Sequence, residues 1–156
     1  MSGRKKVRIG MIGYGMMGLV HSRAYRALAL HGGVEAEPVL QAVCGRNEEA
    51  VRRAAQEMGW ASYETDWRRL VERDDIDLID IGTPNHTHAE IAIAAVQAGK
   101  HVLCEKPLAM NLEEASRVLE EAKRANIVHM VSFNYRYAPA LQHAKQLIQS
   151  GRLGRI

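Results

Sequence analysis

The chain has 156 residues, 47% of them hydrophobic and 25% charged, with 13 Gly, 4 Pro and 2 Cys; this describes one globular domain and excludes a disordered tract, a collagen and a disulfide scaffold. A domain of this length buries roughly 70% of the surface its unfolded chain exposes, so its core requires neither metal nor disulfide. The formal charge of +3, from 21 Lys and Arg against 18 Asp and Glu, is spread along the chain, which argues against a nucleic-acid partner; Arg4, Lys5 and Lys6 read as a solvated lead-in.

No apolar run reaches the roughly 18 residues of a membrane span, and the N-terminus carries no apolar segment with a small-residue cleavage site, so a cytoplasmic location is expected. Cys44 and Cys104 each end an apolar run without CxxC or Cys/His spacing and read as buried thiols rather than zinc ligands. With only 5% aromatic residues, the core must come from Ala, Val, Ile, Leu and the 7 Met, the palette of helices packed on an aliphatic sheet.

In chain order, β-type runs at residues 7–13, 39–44, 62–63, 78–82, 101–104 and 127–133 alternate with helical stretches at 17–30, 48–58, 67–73, 89–98, 112–125 and 140–149. This alternation predicts an α/β fold with a parallel sheet covered by helices on both faces. The first, fourth and sixth runs are nearly continuous aliphatic segments, as strands buried on both faces should be. Asn47 ahead of Glu48 and Glu49, and Asn111 with Glu114, predict helix N-terminal caps. Gly59, Gly99 and Gly151 predict helix ends.

The first run leads directly into Gly13, Tyr14, Gly15, Met16, Met17 and Gly18 and then into a helix. GxGxxG at this place in a βαβ unit is a dinucleotide-binding signal. Gly13 allows the tight turn, Gly15 lets the backbone approach a pyrophosphate, and Gly18 lets helix and strand pack closely. The helix N-terminus supplies free N–H donors. An acid that would hold the adenosine ribose is sought about 20 residues further on, and spacing alone selects Glu37. Glu35 and Glu37, however, are expected ahead of the second strand, whereas the ribose lies beyond its far end, at Gly45, Arg46 and Asn47. The missing carboxylate and the presence of Arg46 favour NADP over NAD.

Ligands of open α/β sheets collect at the carboxyl ends of the strands. The fourth run ends in Thr83, Pro84, Asn85, His86, Thr87 and His88, the fifth in Glu105, Lys106 and Pro107, and the sixth in Asn134, Tyr135, Arg136 and Tyr137. His86 and His88 beside Glu90 suggest a metal, but at a helix start the two rings diverge and no third ligand is evident. His88 is assigned to orienting its loop or contacting the cofactor. His21, His31, His129 and His143 show no partners at this level.

The ordered set Gly13-x-Gly15-x-x-Gly18, Thr83-Pro84-Asn85 with His88, and Glu105-Lys106-Pro107 resembles the glucose-fructose oxidoreductase, inositol dehydrogenase and rhizopine catabolism (Gfo/Idh/MocA) family, with Glu105-Lys106-Pro107 its most specific element. The resemblance implies a Rossmann-type doubly wound parallel sheet in three αβα layers and an NAD(P)-dependent oxidation or reduction of sugars, inositols or related polyols. It implies that Lys106 is catalytic, acting on the substrate hydroxyl beside the nicotinamide, that Glu105 bonds the nicotinamide ribose, and that Thr83, Pro84 and Asn85 line the cofactor's central stretch. Asn134 joins them as a cofactor-facing residue. Residues 1–150 are expected to form the NAD(P)-binding domain, and residues 151–156 to begin the crossing into a second, substrate-binding domain absent from this chain. Such a piece is expected to bind a dinucleotide without turnover; a stand-alone dinucleotide-sensing module is the alternative. Apolar surface exposed after Asn134 is expected to promote self-association into a homo-oligomer.

Overall fold

In the computed structural model, which describes residues 4–28 and 35–155, six strands form one sheet. They are β1 (Lys5–Ile12), β2 (Ala36–Cys44), β3 (Ser62–Glu64), β4 (Leu78–Ile81), β5 (His101–Cys104) and β6 (His129–Val131). The helices are α1 (Met16–Leu28), α2 (Glu48–Met58), α3 (Trp67–Glu72), α4 (His88–Gln97), α5 (Leu112–Ala125) and α6 (Pro139–Gln149). All pairings are parallel and the order is β3-β2-β1-β4-β5-β6, a doubly wound Rossmann-type sheet. Winding reverses between β1 and β4, and a crevice opens there outside the carboxyl ends of the strands.

Each face of the sheet has its own core. On one, Ile9, Met11 and Val43 meet Val51, Ala54, Ala55 and Met58 of α2, with Leu19 and Tyr25 of α1 packed against them. On the other, Ile79, Ile81 and Val102 meet Leu70 of α3, Ile91 and Ala95 of α4 and Val118 of α5. Small residues along α4 let it lie close to the sheet. The Arg8 guanidinium and backbone N–H both donate to Asp77, tying β1 to the residue ahead of β4. That contact holds the Asp77 carboxyl down at about 2.

The expected caps form: Asn47 accepts from the Ala50 N–H and Asn111 from the Glu114 N–H, each at 2.9 Å. Glu114 reaches back to the Met110 N–H rather than to that of Asn111. Gly59 caps α2 in the left-handed region at φ 79°.

Two expectations are corrected. β2 starts at Ala36, so Glu37 lies inside the strand and not ahead of it. Pro38 is tolerated there because β3 pairs only with residues Ala42, Val43 and Cys44, leaving that stretch of β2 an edge on the β3 side. Glu37 still stands seven residues before Cys44, about 23 Å from the carboxyl end. The sixth run is not buried on both faces: β6 holds three residues at the outer edge of the sheet, paired with β5, and His129 and Met130 are exposed. The predicted helix end at 29–30, like His31, lies outside the described residues.

After β6 the chain makes a 3-10 turn over Asn134–Tyr137 and enters α6, which has no buried residue. Phe133, Tyr135, Tyr137, Leu141, Ile148 and Leu153 are all exposed. So many exposed apolar side chains within one C-terminal segment favour association. We predict that sedimentation of the chain shows a mean mass rising with concentration; a constant monomer mass would contradict it.

Candidate active site

The backbone ladder continues past the strand ends and draws the loops into one row. Gly13 N–H donates to Cys44 at 3.0 Å, Gly82 N–H to Ile12 at 2.9 Å, Glu105 N–H to Ile81 at 2.9 Å and Ser132 N–H to Cys104 at 2.8 Å. The glycine turn, the Thr83-Pro84-Asn85 loop, the Glu105-Lys106-Pro107 loop and the segment leading to Asn134 therefore share the carboxyl edge.

The three motif glycines differ in what they make room for. Gly13 has φ 106°, and a Cβ there would lie 2.6 Å from the Gly82 carbonyl oxygen. A Cβ on Gly18 would lie 2.2 Å from the Gly13 carbonyl oxygen. Both positions are closed by backbone, which fixes α1 against the ends of β1 and β4. At Gly15 a Cβ would meet nothing within 4 Å. The space over Gly15, at the N-terminus of a 13-residue helix with no acidic residue in its first turn, fits a pyrophosphate.

Met16 is exposed and Met17 half-buried, its Cβ directed towards Gly82. Tyr14 lies across Gly45, where a Cβ would fall 1.9 Å from the ring. These two residues join the ends of β1 and β2. Asn47 is occupied with its helix cap, and Arg46 is exposed and forms no ion pair among the described residues.

On the other side of the crevice, His88 is fully buried; Nδ1 lies 2.7 Å from the Pro107 carbonyl oxygen and Nε2 2.8 Å from that of Thr83. The ring thus sits between the β4 loop and the β5 loop, each of its nitrogens within hydrogen-bond distance of a carbonyl oxygen. His86 is exposed and does not share its surroundings. Thr83 and Thr87 hydroxyls lie 2.7 Å apart, and Thr87 also donates to the Pro84 carbonyl. Pro84 and Asn85 are exposed at the crevice rim, as is Asn134. The Lys106–Pro107 peptide is cis. Lys106 is exposed, and its backbone N–H donates to Glu105 Oε2 at 3.1 Å.

A family model described as an oxidoreductase family with an NAD-binding Rossmann fold (GFO_IDH_MocA) matches residues 7–133. The chain belongs to the Gfo/Idh/MocA oxidoreductase family. It is 46% identical over 153 residues to a levoglucosan dehydrogenase of Pseudarthrobacter phenanthrenivorans, covering 97% of this chain and 39% of that protein. It is 30% identical over 149 residues to a myo-inositol 2-dehydrogenase of Thermotoga maritima, covering 96% and 42%. A solved levoglucosan dehydrogenase in complex with NADH and levoglucosan superposes with a TM-score of 0.92, covering 97% of this chain and 41% of that one. An oxidoreductase domain protein from Kribbella flavida, 48% identical, gives 0.90 over 96% and 41%. The chain spans about two fifths of the length of these Gfo/Idh/MocA relatives.

Three residues that sequence reasoning left without a role, Asp80, His21 and Tyr25, meet beside Glu105 near the carboxyl ends of β4 and β5. Asp80, fully buried in β4, faces His21 Nδ1 at 2.8 Å and accepts from the Tyr25 hydroxyl at 2.7 Å; His21 Nε2 lies 3.2 Å from Glu105 Oε1. Hydrogen bonding to Asp80 holds His21 above the ordinary histidine range against the opposing effect of burial, with Glu105 adding to it. Burial, with Asp80 adding to it, pushes the Tyr25 phenol far above its usual range. Burial likewise pushes the Cys104 and Cys44 thiols up to about 12, as expected of inert core thiols. One signal was available: a carboxylate inside the aliphatic run Leu78-Ile79-Asp80-Ile81 requires a partner. His21 and Tyr25, four apart on α1, share the face that provides it.

Because the Gly18 contact is backbone against backbone, it cannot be relieved by a rotamer change. Gly18→Ala should destabilise the chain by about 1–3 kcal/mol. It should also weaken dinucleotide binding by about tenfold or more, since α1 must move. Urea unfolding and calorimetry check this; an unchanged midpoint with unchanged affinity would contradict it.

Proposed function

We propose that this chain is the cofactor-binding half of an NAD(P)-dependent dehydrogenase that acts on the CH–OH group of a sugar, an inositol or a related polyol. The observation that carries the reading is the sharing of one carboxyl edge by two loops: the glycine turn, open over Gly15, and the Glu105-Lys106-Pro107 loop with an exposed lysine. The N-terminal N–H groups of α1 would hold the pyrophosphate. Tyr14 and Gly45 would flank the adenosine, Thr83, Pro84 and Asn85 the middle of the cofactor, and Glu105 the nicotinamide ribose, with Asn134 at the rim. A bound nicotinamide would supply the hydride acceptor or donor for the carbinol carbon. Lys106 would bond the reacting oxygen and exchange its proton as the hydride moves. Levoglucosan dehydrogenase and the inositol dehydrogenases among the relatives support a polyhydroxylated substrate. Residues 1–150 would form the cofactor domain, with substrate-selecting groups supplied from outside it; the chain alone would bind the dinucleotide without turnover.

Two observations bear on which dinucleotide is used. The exposed Arg46, which forms no ion pair among the described residues, and the lack of a carboxylate immediately after β2 favour NADP, where a 2′-phosphate would pair with the guanidinium. The NADH in the levoglucosan dehydrogenase complex favours NAD. Calorimetry separates them. On the NADP reading NADPH binds at least about tenfold tighter than NADH and loses that advantage in Arg46→Ala; on the NAD reading NADH binds as well or better, and Arg46→Ala changes its affinity by less than about twofold.

In an enzyme that contains this chain, Lys106→Ala should lower turnover of levoglucosan or an inositol by about a hundredfold or more while dinucleotide affinity stays within about threefold. Unchanged turnover would remove Lys106 from the chemistry.

A further inference from the structure

We propose that His21 is a positioning residue for the nicotinamide end of the site: as an imidazolium it ties Asp80 in β4 to Glu105 after β5, and so sets the carboxylate from which the Lys106 loop departs. The inference rests on the dinucleotide reading above and adds to it a residue outside the glycine and Glu105-Lys106-Pro107 motifs. α1 brings Gly18, His21 and Tyr25 to one face, three and four residues apart, so the helix that offers its N-terminus to the cofactor also inserts His21 beneath the β4 and β5 loops. Both ring nitrogens of His21 face carboxylate oxygens, Nδ1 at 2.8 Å from Asp80 Oδ2 and Nε2 at 3.2 Å from Glu105 Oε1. Carboxylates only accept, so both contacts are hydrogen bonds only when both nitrogens carry protons.

Two carboxylates face the ring, Asp80 from β4 and Glu105 after β5, and Tyr25 from α1 itself meets the same Asp80; the Cys104 thiol on β5 packs in the core on the other face of the sheet. Tyr25 donates to the same Asp80 oxygen and leaves that carboxylate well supplied. Glu105 also has two partners but at longer range, 3.2 and 3.1 Å against 2.8 and 2.7 Å at Asp80. Its Oε1 meets His21 and its Oε2 accepts the Lys106 backbone N–H, so the same side chain that contacts His21 also holds the first peptide of the lysine loop.

The consequence of losing one proton is directional. The shorter and better supported contact to Asp80 retains the remaining proton on Nδ1, and the Nε2 lone pair is then turned on Glu105 Oε1. Glu105 is released while α1 stays anchored at Asp80. The hold on Glu105 is present while His21 is protonated and is lost as pH rises through its raised folded value. A group that only packed α1 on the sheet would affect both halves of the dinucleotide equally; one that sets Glu105 affects the nicotinamide half.

ADP, which carries the pyrophosphate and adenosine without the nicotinamide riboside, separates the two. Calorimetry with ADP and with whichever of NADH or NADPH binds tighter should show that His21→Gln weakens the dinucleotide about tenfold and ADP less than about twofold. Equal losses for both ligands, or no loss for either, would overturn the proposal. Should His21→Gln fail to fold, the unmodified chain supplies the test, because the ratio of dinucleotide to ADP affinity should fall by about tenfold as pH is raised from about 6 to about 9. A flat ratio would overturn the proposal. Failure of the unmodified chain to bind either ligand would overturn the dinucleotide reading as well, whereas binding of both with a flat ratio removes the role of His21 alone.

Discussion

The structure depends on the close approach of α1 to the ends of β1 and β4. Gly18 touches the Gly13 carbonyl, and Gly13 in turn touches Gly82, with no room for a Cβ at either of the first two positions. This single backbone contact fixes where the helix begins and where its axis points. Its N–H groups are thereby aimed over Gly15, and one turn further along its buried face delivers His21 and Tyr25 to Asp80. One helix thus links the glycine turn at its N-terminus to the buried Asp80 carboxylate beside its middle turns.

A second set of constraints joins the loops that no strand pairing could hold. Glu105 is held by His21, and the carbonyls of Thr83 and Pro107 are bridged by His88. Strand ladders stop at the carboxyl edge, where backbone groups must find other partners or water. His88, buried at the start of α4, lies against two such carbonyls, while the half-buried His21 of α1 meets the Asp80 and Glu105 side chains beside them. Lys106 and Arg46, by contrast, are exposed, at opposite ends of the crevice. The loops are thus held to one another while the two cations stay exposed.

Much of this was legible because the local rules agree with the global ones. Strand and helix alternation, the Asn47 and Asn111 caps and the glycine turn all rest on neighbours within a few residues, and the structure keeps them. The sixth strand was misread because an aliphatic run is compatible with a central or an edge position, and only strand order distinguishes the two. Likewise Glu37 belongs to β2 because Pro38 falls where the strand has no neighbour on the β3 side, a fact of pairing that spacing cannot express.

The sequence by itself determined that the chain is an α/β unit whose first turn is built for a phosphate, and it pointed to Lys106 and Arg46 as the groups to question. The alternation, the glycine turn and the interest of Arg46 follow from periodicity, glycine spacing and charge, which act over short stretches of chain, whereas Lys106 was singled out by the resemblance of Glu105-Lys106-Pro107 to the family. What only the tertiary structure decided was the company that His21, Asp80, Glu105 and His88 keep. His21 and Glu105 are 84 residues apart in sequence and 3.2 Å apart in space, and no local pattern encodes a contact that exists only once α1, β4 and β5 have packed together.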